Sequence, residues 1–229
     1  MKKKLLICTD SHVLHTGLAE VTRLIFKKLL DKYGQFYEIV QLGYFHSNPI
    51  MKPMWQIIPT QYDQNPDGSY KFKEADRYGQ LTYPNVVKDF KPDIVFGDGD
   101  PWYVNHMINH KSIMNHGTVL YLTYDGIPYG DIDQTWLKNV DQLVTCVDFS
   151  KQVMTECMPE LDPSKIEVIY HPADLTRFGK IPSNEKQKHR KAMAPNIPEN
   201  AFVMGWAGRN QWRKQVWKPY EILSYIRSG

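Results

Sequence analysis

The sequence predicts an α/β fold built on a doubly wound parallel sheet, with a second, incomplete α/β segment after it. Three observations lead there. Short apolar runs that read as buried strands alternate with segments whose apolar residues recur at helical spacing. No fixed-period repeat or low-complexity tract interrupts this alternation. A polar, proline-containing stretch over 172–200 then separates it from a fresh strand–loop–helix pattern that begins at Ala201.

Taken in order, Leu5–Cys8 is the first strand and 10–17 a polar loop. Leu18, Val21, Leu24, Ile25 and Leu29 line one face of a helix that Gly34 ends. Glu38–Tyr44 is the second strand. Residues 49–70 are irregular, with a short strand at Trp55–Pro59 and a tight turn at Asn65–Gly68. Pro84–Phe90 carries proline in its first turn and reads as a helix. Strands follow at Ile94–Gly97, Thr118–Thr123, Gln142–Val147 and Lys165–Tyr170. Helices are expected at Trp102–His110, Ile132–Val140 and Phe149–Met158, and a short one near Glu185–Met193. Ligands of such sheets bind outside the carboxyl ends of the strands. Here those ends are the loops starting at Thr9, Gly97, Tyr124 and His171.

With 229 residues, 42% hydrophobic, 23% charged and 13% aromatic, the chain can bury a core, and global disorder is excluded. A net charge of +3 suits an anionic substrate without demanding nucleic acid. Cys8, Cys146 and Cys157 have no motif spacing and read as reduced thiols of a cytoplasmic protein. The lysines after Met1 precede an apolar run too short for a signal sequence, and no run reaches the ~20 residues of a membrane span.

Each chemical motif carries two readings. Gly208–Lys214 lies between a strand and a helix, where free N–H groups with Arg209 and Lys214 would clamp a diphosphate. It also fits a solvated basic turn. Gly17 opens the first helix, either to let a ligand approach the backbone or as a simple turn glycine. In Gly97–Pro101, Asp98 and Asp100 could take a divalent cation, or form an acidic turn capping the helix at Pro101. His106 and His110 share a helical face near His116, which invites a metal reading, but the glutamate of an H-E-x-x-H site is absent and the three read as surface histidines. Asp125 could position an acceptor hydroxyl or belong to a polar turn. Asp174 and Arg177 read as a local ion pair, with Phe178 as an anchor to the core.

The order of these features resembles the retaining glycosyltransferases of family 4. Val168–Phe178 is similar to their V-I-x-N-G-V-D-x-x-x-F hinge. Pro198–Arg209 with Lys214 is similar to the start of their second domain, and Asp141–Lys151 to the strand and helix before the hinge. The chain departs from the pattern at Tyr124, where the family commonly has histidine, and at His171-Pro172, where Asn-Gly is usual. It has one glycine in the first loop, and the family's E-x7-E motif would fall after Gly229.

The resemblance implies a GT-B fold. Residues 1–171 would form a Rossmann-like acceptor domain, 172–200 a linker, and 201–229 the first strand–helix unit of a nucleotide-sugar domain. Residues 201–229 would need a partner chain or a missing C-terminal domain to pack against. The reaction implied is sugar transfer from a nucleotide sugar to a hydroxyl with retention, with no metal and no cofactor beyond the donor. Arg209 and Lys214 would hold the diphosphate, Gly17 would admit the donor, and Asp125 and Asp100 would serve the acceptor. The acceptor stays open among glycan, lipid, protein, metabolite and modified nucleobase. A sugar-nucleotide epimerase or hydrolase, or a non-catalytic binding module, would suit the same scaffold.

Overall fold

A computed structural model describes residues 1–47, 49–126, 135–208 and 210–228. The chain divides into two compact units, Met1–Leu175 and Thr176–Gly229.

The first unit holds β1 (Lys3–Asp10), α1 (Gly17–Tyr33), β2 (Tyr37–Tyr44), β3 (Gln56–Pro59), β4 (Tyr62–Gln64), β5 (Tyr70–Phe72), α2 (Tyr83–Phe90), β6 (Ile94–Gly99), α3 (Pro101–Met114), β7 (Gly117–Leu122), β8 (Gln142–Thr145), α4 (Asp148–Cys157) and β9 (Ile166–Val168). Seven strands form one sheet in the order β3-β2-β1-β6-β7-β8-β9, every pair parallel, while β4 and β5 make a separate antiparallel hairpin. The order reverses direction at β1. The chain winds outward through β2 and β3, then returns to lay β6 on the other side of β1. The crevice beyond the carboxyl ends of β1 and β6 is therefore the topological switch point, where such sheets bind ligands.

Alternation along β1 sets the two layers. Leu6 and Cys8 point to one face and pack with Tyr83, Val86 and Val87 of α2, Val104 and Met107 of α3, and Val153 and Met154 of α4. Leu5 and Ile7 point to the other, against Phe26 of α1 and Trp55. Burying each of these large side chains contributes ~1.5–3 kcal/mol. Gly97 is a close-packing position, since a Cβ there would lie 2.8 Å from Leu120 and 3.0 Å from Val104 of α3.

The core also buries polar groups. The three histidines expected at the surface instead surround the ring of Tyr83, and His106 and His116 are buried, because they pack between α2, α3 and β7. His106, His110 and His116 lie 5.4, 6.0 and 6.5 Å from that ring. His116 Nε2 is 3.1 Å from the Tyr83 hydroxyl. Both ring nitrogens of His106 are buried and, among the described residues, have no hydrogen-bond partner. Burial, with His110 adding to it, pushes its pKa down to about 4. The folded state therefore resists a proton that the unfolded chain takes up below about 6.5, so this side chain removes stability as pH falls from 7 toward 4. His106→Leu should gain about 2 kcal/mol relative to the parent between pH 7 and pH 5. Urea unfolding at both values measures this, and a pH-independent difference between the two proteins would refute it.

The second unit holds α5 (Ser183–Met193) and α6 (Lys218–Ser228). The strand expected over 201–208 is not formed: the segment is largely exposed and, among the described residues, has no neighbouring strand to complete its hydrogen bonds. The helix expected over Ile132–Val140 is a single 3-10 segment at Thr135–Asn139 among the described residues. Phe178 is 65% exposed. Among the described residues, no helix is long and apolar enough to cross a membrane.

Candidate functional site at the carboxyl ends of β1, β2 and β6

The loop after β1 is pinned on every side. Gln41, on β2 and fully buried, accepts from the His12 backbone N–H (3.2 Å), from His12 Nδ1 (2.6 Å) and from Trp55 Nε1 (3.3 Å). Its own amide donates to the Asp10 carbonyl at 2.9 Å. His12 Nε2 accepts from the Met54 N–H at 3.0 Å, so Nδ1 carries the proton, and the indole of Trp55 covers the ring at 4.0 Å. Burial lowers the His12 pKa and keeps the ring neutral at pH 7. Arg23 of α1 donates to the carbonyls of His12 and Leu14 and pairs with Glu20. Replacing Gln41 by leucine would strand the His12 and Trp55 donors in the interior. We expect a loss of about 3 kcal/mol and a Tm lower by roughly 6–12 °C. A thermal shift under 2 °C would show that the loop does not depend on this hub.

The pinned loop delivers Thr16 as N-cap of α1. Its hydroxyl accepts from the Ala19 N–H and donates to the Asp10 carboxylate at 2.7 Å. Gly17 follows as the first helical residue. It is exposed, and a Cβ there would meet nothing within 4 Å, so the space beside the helix start is open.

β6 brings a second carboxyl group. Asp98 is 1% exposed, and among the described residues neither of its oxygens has a hydrogen-bond partner. Burial pushes its pKa well above the ordinary carboxylate value, and the charges of Asp10 and Asp100 push the same way. Gly99 follows at φ +141, a conformation L side chains rarely adopt, and a Cβ there would lie 2.9 Å from the Tyr103 ring. Asp100 occupies the N-cap position of α3, but its side chain makes no capping bond to the helix. Tyr103, on the first turn of α3, feels the charges of both Asp10 and Asp100.

The third wall was not read from the sequence. β2 ends in Tyr44, fully buried, and Phe45, held at φ +53. His46 Nδ1 lies 2.8 Å from Ser11 Oγ in the β1 loop, and the Tyr62 hydroxyl donates to the His46 carbonyl. Residues 60–82, inserted between β3 and α2, place Phe72 at 5.0 Å and Tyr78 at 5.8 Å from Phe45, both edge-on. Tyr78 stacks on Tyr103 at 4.0 Å, and the Arg77 guanidinium lies over Phe45 and Tyr78. The insert is held by Asp76. This fully buried carboxylate accepts from Gln61 N (2.8 Å), Leu81 N (2.7 Å), Thr82 N (2.9 Å) and the Thr82 hydroxyl.

Of the residues the sequence singled out, Gly17 and Asp100 stand at this carboxyl-end surface. Asp125 lies at the carboxyl side of β7 and is exposed. Tyr124 before it is 1% exposed and belongs to the core, its backbone bonded to Ser150 of α4. It therefore points inward, away from the place expected of a ligand-facing side chain. Lys214 is exposed on a 3-10 turn of the second unit, and Arg209 lies outside the described residues. His171 packs edge-on to Tyr121 at 5.4 Å.

No protein-family model matches the chain, and no curated protein matches it. Its fold does match solved structures. The UDP-GlcNAc 2-epimerase of Neisseria meningitidis bound to UDP-GlcNAc superposes with a TM-score of 0.51 at 12% identity, covering 86% of this chain and 56% of that one. The S. aureus MnaA–UDP structure gives 0.50 at 12% identity, over 100% and 60%. Arabidopsis thaliana UGT89C1 complexed with UDP gives 0.46 at 10%, over 87% and 56%. The chain spans about half the length of the structures it resembles. The seven-stranded parallel sheet with its flanking helices is thus Rossmann-like, of the kind found in GT-B proteins.

Proposed function

We propose that the chain is part of a nucleotide-sugar enzyme, a retaining glycosyltransferase that moves a sugar from a nucleotide donor to a hydroxyl acceptor. The observation that carries this reading is the fold. Two solved structures with TM-scores of 0.51 and 0.50 are complexes with UDP-GlcNAc and UDP, and this chain keeps an open, pre-organised switch point where such folds bind ligands. The hinge-like Val168–Phe178 segment and the Arg209–Lys214 spacing support transfer with retention. In this reading Arg209 and Lys214 neutralise the departing diphosphate and Gly17 leaves room for the donor. Asp100 and Asp125 orient the acceptor hydroxyl. The acceptor attacks from the leaving-group face, and the leaving phosphate takes its proton.

Sugar-nucleotide epimerisation is the second reading. It is favoured by the buried carboxyl of Asp98 at the switch point, which has no hydrogen-bond partner among the described residues and whose pKa burial pushes well above the ordinary carboxylate value. Incubation with a labelled nucleotide sugar separates the two. Transfer requires an added acceptor and releases nucleoside diphosphate, whereas epimerisation proceeds without acceptor and leaves the donor intact. Turnover that survives Arg209→Ala and Lys214→Ala unchanged would remove those residues from the diphosphate site.

A further inference from the structure

Arg209 and Lys214 aside, the second unit has no role in the function proposed above. Two of its properties stand apart: it is strongly basic, and it leaves an apolar helix face uncovered. We infer that α6, with the Trp212–Trp217 turn before it, docks on an anionic lipid bilayer. The apolar stripe of α6 would sit at the acyl boundary and the surrounding cations on the headgroups. The inference uses the second unit alone and does not depend on the nucleotide-sugar reading.

Charge defines the class of partner. Residues 176–229 carry 11 Lys and Arg against 3 Asp and Glu, whereas residues 1–175 carry 17 against 22. The three acids are already occupied. Glu185 lies 3.6 Å from His189, Glu199 3.7 Å from Lys191 and Glu221 2.7 Å from Lys218. Lys180, Lys186, Lys188, Arg213 and Arg227 are exposed, and among the described residues none of them pairs with an acid. Lys214, placed at the diphosphate above, is not counted with them. α5 buries none of its residues, so Lys186 and Lys188 are free to add their charge to the attraction. A surface of this sign draws polyanions, and each Lys or Arg near an anionic membrane strengthens the hold.

The apolar stripe selects a bilayer among polyanions. Ile222, Leu223 and Ile226 fall on one face of α6, with Lys218 at the start of the helix and Arg227 near its end. They are 49, 42 and 63% exposed, so the stripe stays largely open to solvent. Trp212, itself 83% exposed, packs on half-buried Trp217 at 4.4 Å immediately before the helix. Tryptophan beside an aliphatic stripe bounded by cations suits a helix lying in a membrane interface. The indoles settle at headgroup level, the aliphatic side chains reach the acyl chains, and Lys and Arg keep their charged ends among the phosphates. A nucleic acid would use the cations and leave Ile222, Leu223 and Ile226 in water.

Vesicle flotation of the 229-residue chain tests the inference. The probes are vesicles of phosphatidylcholine alone and of phosphatidylcholine with about 30% phosphatidylglycerol. Binding to the anionic vesicles should exceed binding to the neutral ones by at least about tenfold, and should fall as salt rises. Ile226→Glu should weaken it by at least about fivefold, because it puts a charge at the acyl boundary. Lys186→Glu combined with Lys188→Glu should weaken it by about tenfold or more. This double variant decides the matter if Ile226→Glu lowers the melting temperature. No flotation with anionic vesicles, equal flotation with neutral ones, or parental binding by a variant that melts like the parent would each overturn the inference. Tighter binding of a short DNA duplex than of the anionic vesicles would also overturn it, as would a dimer in light scattering that Ile226→Glu dissociates, since either names another occupant.

Discussion

Asp98→Asn is expected to stabilise the chain at pH 8 and, under the proposed function, to lower nucleotide-sugar turnover at least 100-fold. The carboxyl is buried beside Asp10 and Asp100 with no partner for either oxygen among the described residues, and its pKa is pushed well above 3.8. The folded state thus keeps a proton that the unfolded chain releases. For an acid whose folded pKa is raised, this means full stability below the unfolded pKa and a loss as pH rises toward the folded one, at up to ~1.4 kcal/mol per pH unit. Asparagine cannot ionise and removes that slope, although its amide inherits the unpartnered position. Relative to the parent, the variant should gain stability as pH rises from 5 to 8. His106 tilts stability the opposite way over pH 4–7, so the comparison must be between variant and parent at each pH. Parallel urea-unfolding profiles would show that Asp98 finds a partner in solution. A residue that weakens the fold at a ligand site is kept for its function. Turnover should therefore fall at least 100-fold, and a stabilised variant with parental turnover would remove Asp98 from the chemistry.

The sheet was legible because its strands are short and apolar. Leu5–Cys8 lies inside β1, and the end of Ile94–Gly97 lies in the middle of β6, two residues before the strand stops. That small difference in boundary explains why the sequence singled out Asp100 over Asp98. Read as a loop residue, Asp98 looks solvated. As the residue two after Phe96 in a strand covered on both faces, it must be buried. The alternation Ile94, Phe96, Asp98 was the available signal. Gln41, Asp76 and His106 gave none, because a single polar residue is buried by what the rest of the chain packs around it. The aromatic wall was harder still. Phe45, Tyr78 and Tyr103 are far apart in sequence and meet only because the parallel topology brings the ends of β2 and β6 to the same edge. The missing strand at 201–208 is the converse case. Its pattern is sound, but a strand exists through its neighbours, and local propensity cannot supply them.

Removing the Asp76 carboxylate is expected to have the largest effect on stability, and to act locally first. Asp76→Ala leaves three backbone N–H groups and the Thr82 hydroxyl without their acceptor, in a place from which water is excluded. Each stranded donor costs about 1–3 kcal/mol, partly relieved by relaxation, so a net loss of roughly 3–5 kcal/mol follows. Asp76→Asn retains one acceptor oxygen but turns an N–H pair toward groups that themselves donate, and should lose an intermediate amount. The damage should start in the insert, because the carboxylate joins Gln61 at its beginning to Leu81 and Thr82 at its end while the seven-stranded sheet lies outside that loop. Hydrogen exchange should therefore accelerate over 60–82 before it does in β1 or β6. If exchange there and the melting temperature both stay at parental values, the carboxylate is not the clasp. If the insert loosens while the sheet holds, any binding of UDP under the proposed function should be preserved, because the Gly17 side of the switch point lies outside the insert.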